Sequence, residues 1–428
     1  MSTTATPIEE SVLERYRWVR KRTEDLCAPL SVEDHLMQPI DAVSPPKWHL
    51  GHTTWFFETF LLKPNIRRYR EFHERFPYIF NSYYQNAGER LPKAERYTLN
   101  RPLLDEVHAY REHVDRAIEE FVEENDGLSE EQQRVMEIGI QHEQQHQELL
   151  FYDIKYILGS DQFQPPYFEK LSPASGDNGQ KPGSEEWIEI PEGVYSIGHD
   201  GEGFAYDNEY GRHNVYLHRA RLMDRLITNG EWIEFMESGG YDDPDLWLDE
   251  GWTWIKENHI TAPLYWFMHG GNFYTYTLHG VEVVDPDEPV THISYYEAQA
   301  FAHWKGKRLP TESEWEVLCK RLHDEVPEEA NLQEAMRGRP LSRSGEHFQF
   351  YGDCWEWTQS AYLPYPFYKR EPGAMGEYNG KFMCGQMVLR GGSCATPASH
   401  IRASYRNFFH PPERWLFNGL RLAETLEE

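Results

Sequence analysis

The sequence predicts an α+β protein of two domains, the first helical and the second built from short strands and loops. The chain has 428 residues, which is too long for one ordinary domain. Apolar residues recur at helical spacing through roughly the first 160 residues, and short β-like runs mixed with Gly, Trp and Pro follow. Residues 171–186 are rich in Ser, Gly and Pro, as linkers are. We therefore place the domains at 1–170 and 187–428.

Four helices are predicted in the first domain. The first carries an apolar stripe formed by Ile8, Val12, Tyr16 and Val19. The second covers WHLGHTTWFFETFLL and ends at Pro64, and the third covers LLDEVHAYREHVDRAIEEFV. The fourth begins at Ser129, where SEEQ resembles a capping box, and runs to Leu158. Such a set predicts an antiparallel bundle, in which the long connection at 65–100 is expected to be functional.

The second domain is predicted to combine short strands with two helices. EWIEIPEGVYSIG and HNVYLHRARLM favour strands, whereas SYYEAQAFAHWKG and TESEWEVLCKRL favour helices. Aromatic residues make up 14% of the chain, with 14 Trp and 26 Tyr. Large aromatic side chains can fill the core of a domain that lacks long apolar strands.

The composition of the chain indicates which partners the protein is expected to lack and in which compartment it is expected to lie. The net charge of -29, from 71 acidic and 42 basic residues, repels phosphate backbones and argues against a nucleic-acid partner. Five cysteines without CxxC spacing suggest a reducing compartment. The N-terminal segment lacks the apolar core of a signal peptide, and no stretch is apolar enough to span a membrane. We therefore expect a cytoplasmic protein without a membrane partner.

The segment HEQQHQELL predicts a metal site. His142 and His146 are four residues apart, so on a helix both imidazoles lie on one face and can hold one ion. Glu148 lies about 200° from His146 around the helix and is expected to be structural or to support a ligand. A third nitrogen would come from His49 or His52, between which periodicity does not choose. Three neutral imidazoles suit iron, zinc or copper.

Two other interpretations of this segment stay open. HEQQH fits the HExxH pattern of zinc peptidases, with Glu143 as general base and a downstream residue such as Glu169 as third ligand. The histidines could instead belong to a polar helix face in a non-catalytic binding protein. Iron dependence and the absence of proteolysis would exclude the peptidase.

Motifs in both domains carry a family resemblance. The first domain contains SPPKWHLGHTTWFFETF, FNSYYQNAGER and HEQQHQELL. The second contains FAYDNEY, PVTHISYYEAQAFAHWKGKRLPTESEWE, GDCWEWTQSAY, VLRGGSCATP and RASYRNFFHPPERWLFNGLRLA. In this order and spacing they resemble the hercynine oxygenases, the sulfoxide synthases of ergothioneine biosynthesis. The resemblance implies a DinB-like four-helix bundle followed by a formylglycine-generating-enzyme-type domain, which has a C-type-lectin-like fold.

The resemblance also implies the metal and the reaction. The ligands of Fe(II) would be His52, His142 and His146, with His52 rather than His49 as the upstream ligand. The enzyme would use O2 as co-substrate to join cysteine to hercynine (Nα-trimethylhistidine), giving hercynylcysteine sulfoxide. A formylglycine-generating activity is not implied, because Cys394 follows RGGS without the second cysteine which that chemistry needs.

Further site residues are implied for hercynine and for catalysis. Tyr83 and Tyr84 in the long connection would be catalytic, since a phenol near an iron–oxygen species can donate a proton; alternatively, one packs and one is exposed. Gln145 would hydrogen-bond the imidazole of hercynine, and Asn407 would contact its carboxylate or trimethylammonium end. Phe408 would face the quaternary ammonium by cation–π attraction, or it is ordinary core.

The sulfur donor needs a basic partner for its carboxylate. Arg90, Lys93 and Arg96 follow the tyrosines, and at least one of them is expected to bind it. Relatives that use γ-glutamylcysteine carry an aspartate and an arginine where Phe409 and Glu413 stand here. This difference favours free cysteine, with γ-glutamylcysteine or a selenosugar as the alternative donors.

Overall fold

A computed structural model of the chain describes residues 11–125, 127–168, 186–342, 349–370, 376 and 379–427. The described residues separate into two compact units, one formed by those up to residue 167 together with residue 376, and the other by those from 168 to 370 and from 379 to 427. The predicted linker at 171–186 falls almost entirely on residues 169–185, which lie outside the described residues. Its position therefore stays a prediction.

The first unit is a helical bundle. Its helices are α1 (Val12–Cys27), α2 (Pro46–Phe57), α3 (Lys63–Asn65), α4 (Phe76–Phe80), α5 (Leu104–Glu124) and α6 (Glu130–Ser160). A π-helical turn at Glu58–Leu62 connects α2 to α3. The predicted capping box is present, because Ser129 and Gln132 exchange hydrogen bonds between side chain and backbone at the start of α6.

One helix prediction differs from the structure, and another falls partly outside the described residues. The second helix does not end at Pro64 but continues through α3 to Asn65. A proline normally clashes with the carbonyl four residues earlier, and the preceding π-helical turn shifts the carbonyls that Pro64 would meet. In the first helix, Ile8 lies outside the described residues, and α1 begins after the N-cap Ser11.

Helix α2 occupies the centre of the bundle. It packs against α5 and α6, and α1 packs against α6 as well. All 12 residues of α2 are buried, which is typical of a core helix that is apolar on every side. Polar side chains on α2 therefore lie inside the unit, where each needs a hydrogen-bond partner or a ligand.

The second unit combines four longer helices with short strands. Its helices are α7 (Asn229–Glu237), α8 (Asp249–Glu257), α9 (Tyr295–Trp304) and α10 (Glu312–Leu322). Its strands are β1 (Trp187–Ile190), β2 (Gly193–Ile197), β3 (His213–Leu217), β4 (Ala220–Met223), β5 (Trp266–His269), β6 (Asn272–Thr277), β7 (Gly280–Val283), β8 (Trp355–Ala361), β9 (Met387–Arg390), β10 (Asn407–Phe409), β11 (Asn418–Gly419) and β12 (Ala423–Thr425).

Small, mostly antiparallel sheets organise these strands. Their orders are β1-β4-β12, β10-β9-β8-β11, β2-β3 and β5-β6-β7, with β11 parallel to β8. Fully buried tryptophans fill the core between them: Trp232, Trp315, Trp355 and Trp357. The predicted strands at β1 to β4 and the predicted helices α9 and α10 are confirmed, whereas α7 and α8 were not predicted.

The structure confirms the predicted fold class, α+β with a helical unit preceding a strand-rich one. Within the described part of the chain, no helix combines the length and the apolar character that crossing a bilayer requires.

Candidate functional site

Three histidines meet inside the helical unit. His52 comes from α2, and His142 and His146 come from neighbouring turns of α6. All three are buried, and each offers a ligand atom within 4.8 Å of the other two. The Nε2 atoms of His52 and His142 are 3.2 Å apart. Two nitrogens that bind one ion at about 2.0–2.1 Å and nearly at right angles lie roughly 3 Å apart, so this spacing fits a shared metal ion.

The protonation state of the cluster also fits a metal. Burial lowers the pKa of His142 to about 3. Burial, together with the neighbouring imidazoles, lowers the pKa values of His52 and His146 well below the ordinary range. At neutral pH all three rings are therefore uncharged, which is the state that a metal ligand requires.

A residue of α4, Phe80, holds the His52 ring in its orientation. Nδ1–H of His52 donates to the carbonyl oxygen of Phe80 at 2.5 Å, which leaves the Nε2 lone pair for the cluster. The ring is nearly parallel to the indoles of Trp48, at 4.4 Å and 12°, and of Trp55, at 5.6 Å and 16°. Since one helical turn separates each tryptophan from His52, the sequence of α2 itself builds this stack.

His49 lies outside the three-histidine group and contacts His146. The Nδ1 atoms of His49 and His146 are 2.9 Å apart, and His49 Nε2 is 2.8 Å from Asp153 Oδ2. The sequence left the choice between His49 and His52 open, and the structure brings His52 into the cluster. Asp153 was not predicted. It lies seven residues after His146, two turns along the same face of α6, and this spacing is the signal that could have found it.

Glu143 faces away from the histidines, into a network of charges. Its carboxylate accepts hydrogen bonds from Arg20 at 3.0 Å, from Arg111 at 3.0 Å and from Thr23 at 2.7 Å. Burial alone would raise its pKa, but the two guanidinium groups lower it to about 2. Such a carboxylate cannot take a proton from a water molecule on the metal, so the interpretation of HEQQH as a peptidase motif with Glu143 as base is wrong.

Two other acidic residues, Glu148 and Glu169, were considered in the sequence, and the structure describes the first of them. Glu148 is buried and accepts a hydrogen bond from the hydroxyl of Tyr152, and it is not a member of the three-histidine group. Glu169, the third ligand that the peptidase interpretation would need, lies outside the described residues.

The two tyrosines of the long connection occupy different environments. Tyr84 is buried, and its ring centroid lies 6.5 Å from His142 and 5.5 Å from Trp55. Tyr83 is half-buried, with its ring 4.8 Å from that of Tyr84. Tyr84 therefore packs beside a histidine of the cluster, and Tyr83 packs behind it. The catalytic roles of both stay predictions.

The basic residues predicted to bind the sulfur donor are not equivalent. Arg96 is buried, its guanidinium lies 3.2 Å from the centre of the Trp48 ring, and it donates to Ser44 Oγ at 2.7 Å. Burial lowers the pKa of Arg96 to about 9, against the attraction of Asp153. Arg90 and Lys93 are exposed, and Arg90 donates to the carbonyl of Ser82 at 2.6 Å.

The residues predicted to bind hercynine lie in both units. Gln145 is half-buried on α6. Asn407 and Phe408 are half-buried on β10 of the second unit. The Phe408 ring stacks on Tyr362 with centroids 4.1 Å apart, a packing that fits the ordinary-core alternative as well as a binding role. Contacts of these three residues with a ligand stay predictions.

Family models match both parts of the chain. The DinB superfamily matches residues 15–150, and the sulfatase-modifying factor enzyme 1-like domain matches residues 174–339 and 340–426. The predicted DinB-like bundle followed by a domain of the sulfatase-modifying-factor type is thereby confirmed.

Three curated relatives share one name, "Hercynine oxygenase". The protein of Mycolicibacterium thermoresistibile is 39% identical over 251 residues, which cover 52% of this chain and 54% of the relative. The protein of Mycolicibacterium smegmatis is 34% identical over 315 residues, covering 66% and 70%. The protein of Mycobacterium tuberculosis is 38% identical over 244 residues, covering 52% and 56%. The chain thus spans just over half the length of two of these relatives and 70% of the third.

Proposed function

The chain belongs to the hercynine oxygenase family, and on this premise we propose that it is an iron(II)- and O2-dependent sulfoxide synthase that joins cysteine to hercynine. The predictions of an oxygenase family and of an oxidoreductase class are confirmed at the level of the family. The metal, the co-substrate and the sulfur donor are the parts that we propose.

One observation carries the metal assignment: three buried, uncharged imidazoles converge within 4.8 Å. Three ligands would leave positions on an iron ion open for substrates, as in non-haem iron oxygenases. Iron(II) held there would supply the redox chemistry with which O2 and a thiolate react.

The proposed reaction balances with one O2. A C–S bond forms between the hercynine ring and cysteine, while a C–H and an S–H bond break, which releases two electrons and two protons. Oxidation of sulfur to the sulfoxide releases two more electrons. One oxygen atom ends on sulfur, and the other leaves as water with the two protons.

We assign the proton-donor role to Tyr84 in preference to Tyr83. Its support is its burial and its position 6.5 Å from the His142 ring, ring centre to ring centre. A phenol at this distance from the cluster can direct the reaction towards the sulfoxide rather than towards plain oxidation of the thiol. In Tyr84→Phe we expect the ratio of sulfoxide to cysteine sulfinate to fall by about 100-fold, and in Tyr83→Phe by less. Equal ratios in Tyr84→Phe and the unmodified protein would reject the assignment.

For hercynine we propose Gln145 as partner of the imidazole, with Asn407 and Phe408 at the amino-acid end. For the thiol carboxylate we propose Arg90 and Lys93, which are exposed, in preference to Arg96. The Arg96 guanidinium is already engaged by Trp48 and Ser44, so its proposed contribution is to hold Trp48, and through it His52, in place.

Free cysteine as donor rests on Phe409 and Glu413, which stand where relatives that use γ-glutamylcysteine have an aspartate and an arginine. The Glu413 carboxylate accepts from the indole of Trp415 at 2.8 Å. A carboxylate in this position repels the additional carboxylate of the larger donor instead of binding it.

The reaction is tested with anaerobically purified, iron(II)-loaded protein, hercynine, cysteine and air, followed by mass spectrometry. We expect an adduct with the summed mass of both substrates plus one oxygen and minus two hydrogens. The adduct should vanish in His52→Ala and persist in His35→Ala, which removes a buried histidine of the same unit outside the cluster. If iron is bound and no adduct forms with cysteine, γ-glutamylcysteine or a selenosugar, the proposal is wrong.

The donor assignment has its own test, in which cysteine and γ-glutamylcysteine compete in one reaction. Glu413→Arg should shift the product ratio towards γ-glutamylcysteine by about 10-fold or more, the effect of one charge-assisted contact. Glu413→Gln is the matched control, because it removes the negative charge without adding a positive one. A preference for γ-glutamylcysteine in the unmodified protein would overturn the assignment of cysteine.

A further inference from the structure

We propose that His49 and Asp153 form a positioning pair that fixes the tautomer and the ring orientation of His146. This inference rests on the metal site of the proposed function but not on its substrates. Both residues are buried, with exposed fractions of 1% each, and neither is a member of the three-histidine group. Asp153 contacts His49, and His49 contacts His146. Asp153 Oδ2 is 2.8 Å from His49 Nε2, and His49 Nδ1 is 2.9 Å from His146 Nδ1.

The direction of the two hydrogen bonds follows from the carboxylate of Asp153. The Asp153 carboxylate can only accept, so Nε2 of His49 carries the proton of that hydrogen bond. A neutral His49 then has a lone pair on Nδ1, and Nδ1–H of His146 must be the donor in the second bond. The remaining nitrogen of His146, Nε2, is left with its lone pair free for a metal.

The carboxylate end is fixed to the backbone. Asp153 Oδ2 also accepts from the N–H of Ser44, immediately before the Pro45–Pro46 pair that starts α2. His49 lies edge-on against Trp48, with ring centroids 5.6 Å apart and planes at 79°. The pair is therefore held by α2 at one end and by α6 at the other, and its geometry is set by the packing of the two helices.

The three histidines of the cluster differ in the hydrogen-bond partners of their rings. His52 has a neutral backbone carbonyl as its acceptor. Nδ1 of His142 has no hydrogen-bond partner among the described residues, and its ring packs on Phe56 at 4.8 Å. Among the described residues, His146 is the one of the three whose hydrogen-bonded neighbour, His49, is in turn bonded to a carboxylate. A carboxylate behind an imidazole makes the ring a better donor to a metal, so we assign the strongest ligand of the site to His146.

The test measures binding of Co(II), without hercynine or O2, by titration and by visible absorption. We expect His49→Phe, which keeps an aromatic ring but removes both nitrogens, to bind Co(II) about 10- to 100-fold more weakly and with a changed spectrum. His49→Asn should recover most of the affinity, because its amide oxygen can take the place of Nδ1 as acceptor. His35→Phe, in which a buried histidine outside the cluster is replaced, should match the unmodified protein.

An unchanged affinity and spectrum in His49→Phe would overturn the inference. If that variant does not fold, Asp153→Asn is used instead, because it keeps the shape of the side chain and removes its charge. We expect its Co(II) affinity to fall about 10-fold. An unchanged Co(II) affinity in Asp153→Asn would also overturn the inference. Thermal unfolding of the metal-free variants separates lost folding from lost positioning. A protein that binds Co(II) normally but forms no sulfoxide would reject the proposed function and leave this inference standing.

Discussion

Two buried polar regions flank α6, and they begin at adjacent residues. On one side, the carboxylate of Glu143 is surrounded by Arg20, Arg111 and Thr23. On the other side, His142 meets two further imidazoles, and in the described part of the chain the group formed by their ligand nitrogens includes no carboxylate. In the first region, the carboxylate is paired with two guanidinium groups. The second contains neutral lone pairs that converge on one point.

This difference distinguishes a buried polar cluster whose charges are paired from one that could bind a ligand. The buried carboxylate of Glu143 is paired with guanidinium groups from α1 and α5, so removing it would leave buried charges without compensation. Three uncharged rings with pKa values below the ordinary range bring ligand nitrogens within 4.8 Å of one another, an arrangement that could hold a metal ion. His142 and Glu143 are adjacent in HEQQH, but they belong to two different regions. In a peptidase motif, both would act at one metal site.

Removing the carboxylate should have the largest effect on stability. Glu143→Ala leaves Arg20 and Arg111 with less compensation inside the bundle, and we expect the free energy of unfolding to fall by about 3–5 kcal/mol. Urea unfolding of the metal-free protein measures it. Glu137→Ala is the control on the same helix, because Glu137 pairs with Arg15 near the surface and should contribute less than about 1 kcal/mol. A loss below about 1 kcal/mol in Glu143→Ala would contradict the distinction between the regions.

Removing a histidine should affect metal binding instead of stability. His142→Ala deletes one of three ligands, and we expect Co(II) or iron(II) affinity to fall by more than about 100-fold, beyond the loss caused by changing a supporting residue. The free energy of unfolding of the metal-free protein should change less than in Glu143→Ala. Titration with Co(II) and urea unfolding of the same sample make the comparison. Retained affinity in His142→Ala would remove this residue from the site.

The two regions should also lose stability in different pH windows. His142 has an ordinary pKa of 6.5 and a folded pKa of about 3, so only the unfolded chain binds the proton in between. Its contribution is complete above pH 6.5 and is lost as the pH falls towards 3. Glu143 has an ordinary pKa of 4.5 and a folded pKa of about 2, so its contribution is complete above pH 4.5 and is lost as the pH falls towards 2.

Urea unfolding of the metal-free protein at a series of pH values from 7.5 to 4 tests the earlier of these two windows, that of His142. We expect stability to decline already between pH 6.5 and 5, and this early decline should be weaker in His142→Gln, which cannot be protonated. If His142→Gln and the unmodified protein decline in parallel over that range, the early loss of stability comes from other groups.

Local patterns in the sequence predicted much of this arrangement. The capping box at Ser129 placed the start of α6, and the spacing of His142 and His146 placed both on one face. Both are short-range signals, which the geometry of one helix determines. The selection of His52 came from family resemblance, because His49 and His52 are both buried on α2 and periodicity does not distinguish them.

Features that depend on contacts between distant segments were not predictable in this way. Asp153 reaches His49 only because α2 and α6 pack together, and Arg96 lies on Trp48 only because the long connection folds back over α2. Charge composition suggested that Arg96 was a substrate contact, while its position depends on burial against an indole. The environment of Glu143 likewise requires Arg20 from α1 and Arg111 from α5, which no local motif relates to it.

The smallest expected effect concerns the helix that both regions share. Ser129→Ala removes the side-chain cap of α6, and we expect the free energy of unfolding to fall by about 1 kcal/mol. The cap lies several turns before His142, so Co(II) affinity of the folded protein should stay within about 2-fold of the unmodified value, since distant sites act independently. Urea unfolding and Co(II) titration check both values. If affinity falls together with stability, the metal region depends on the integrity of the whole helix, and the two sides of α6 cannot be treated as separate regions.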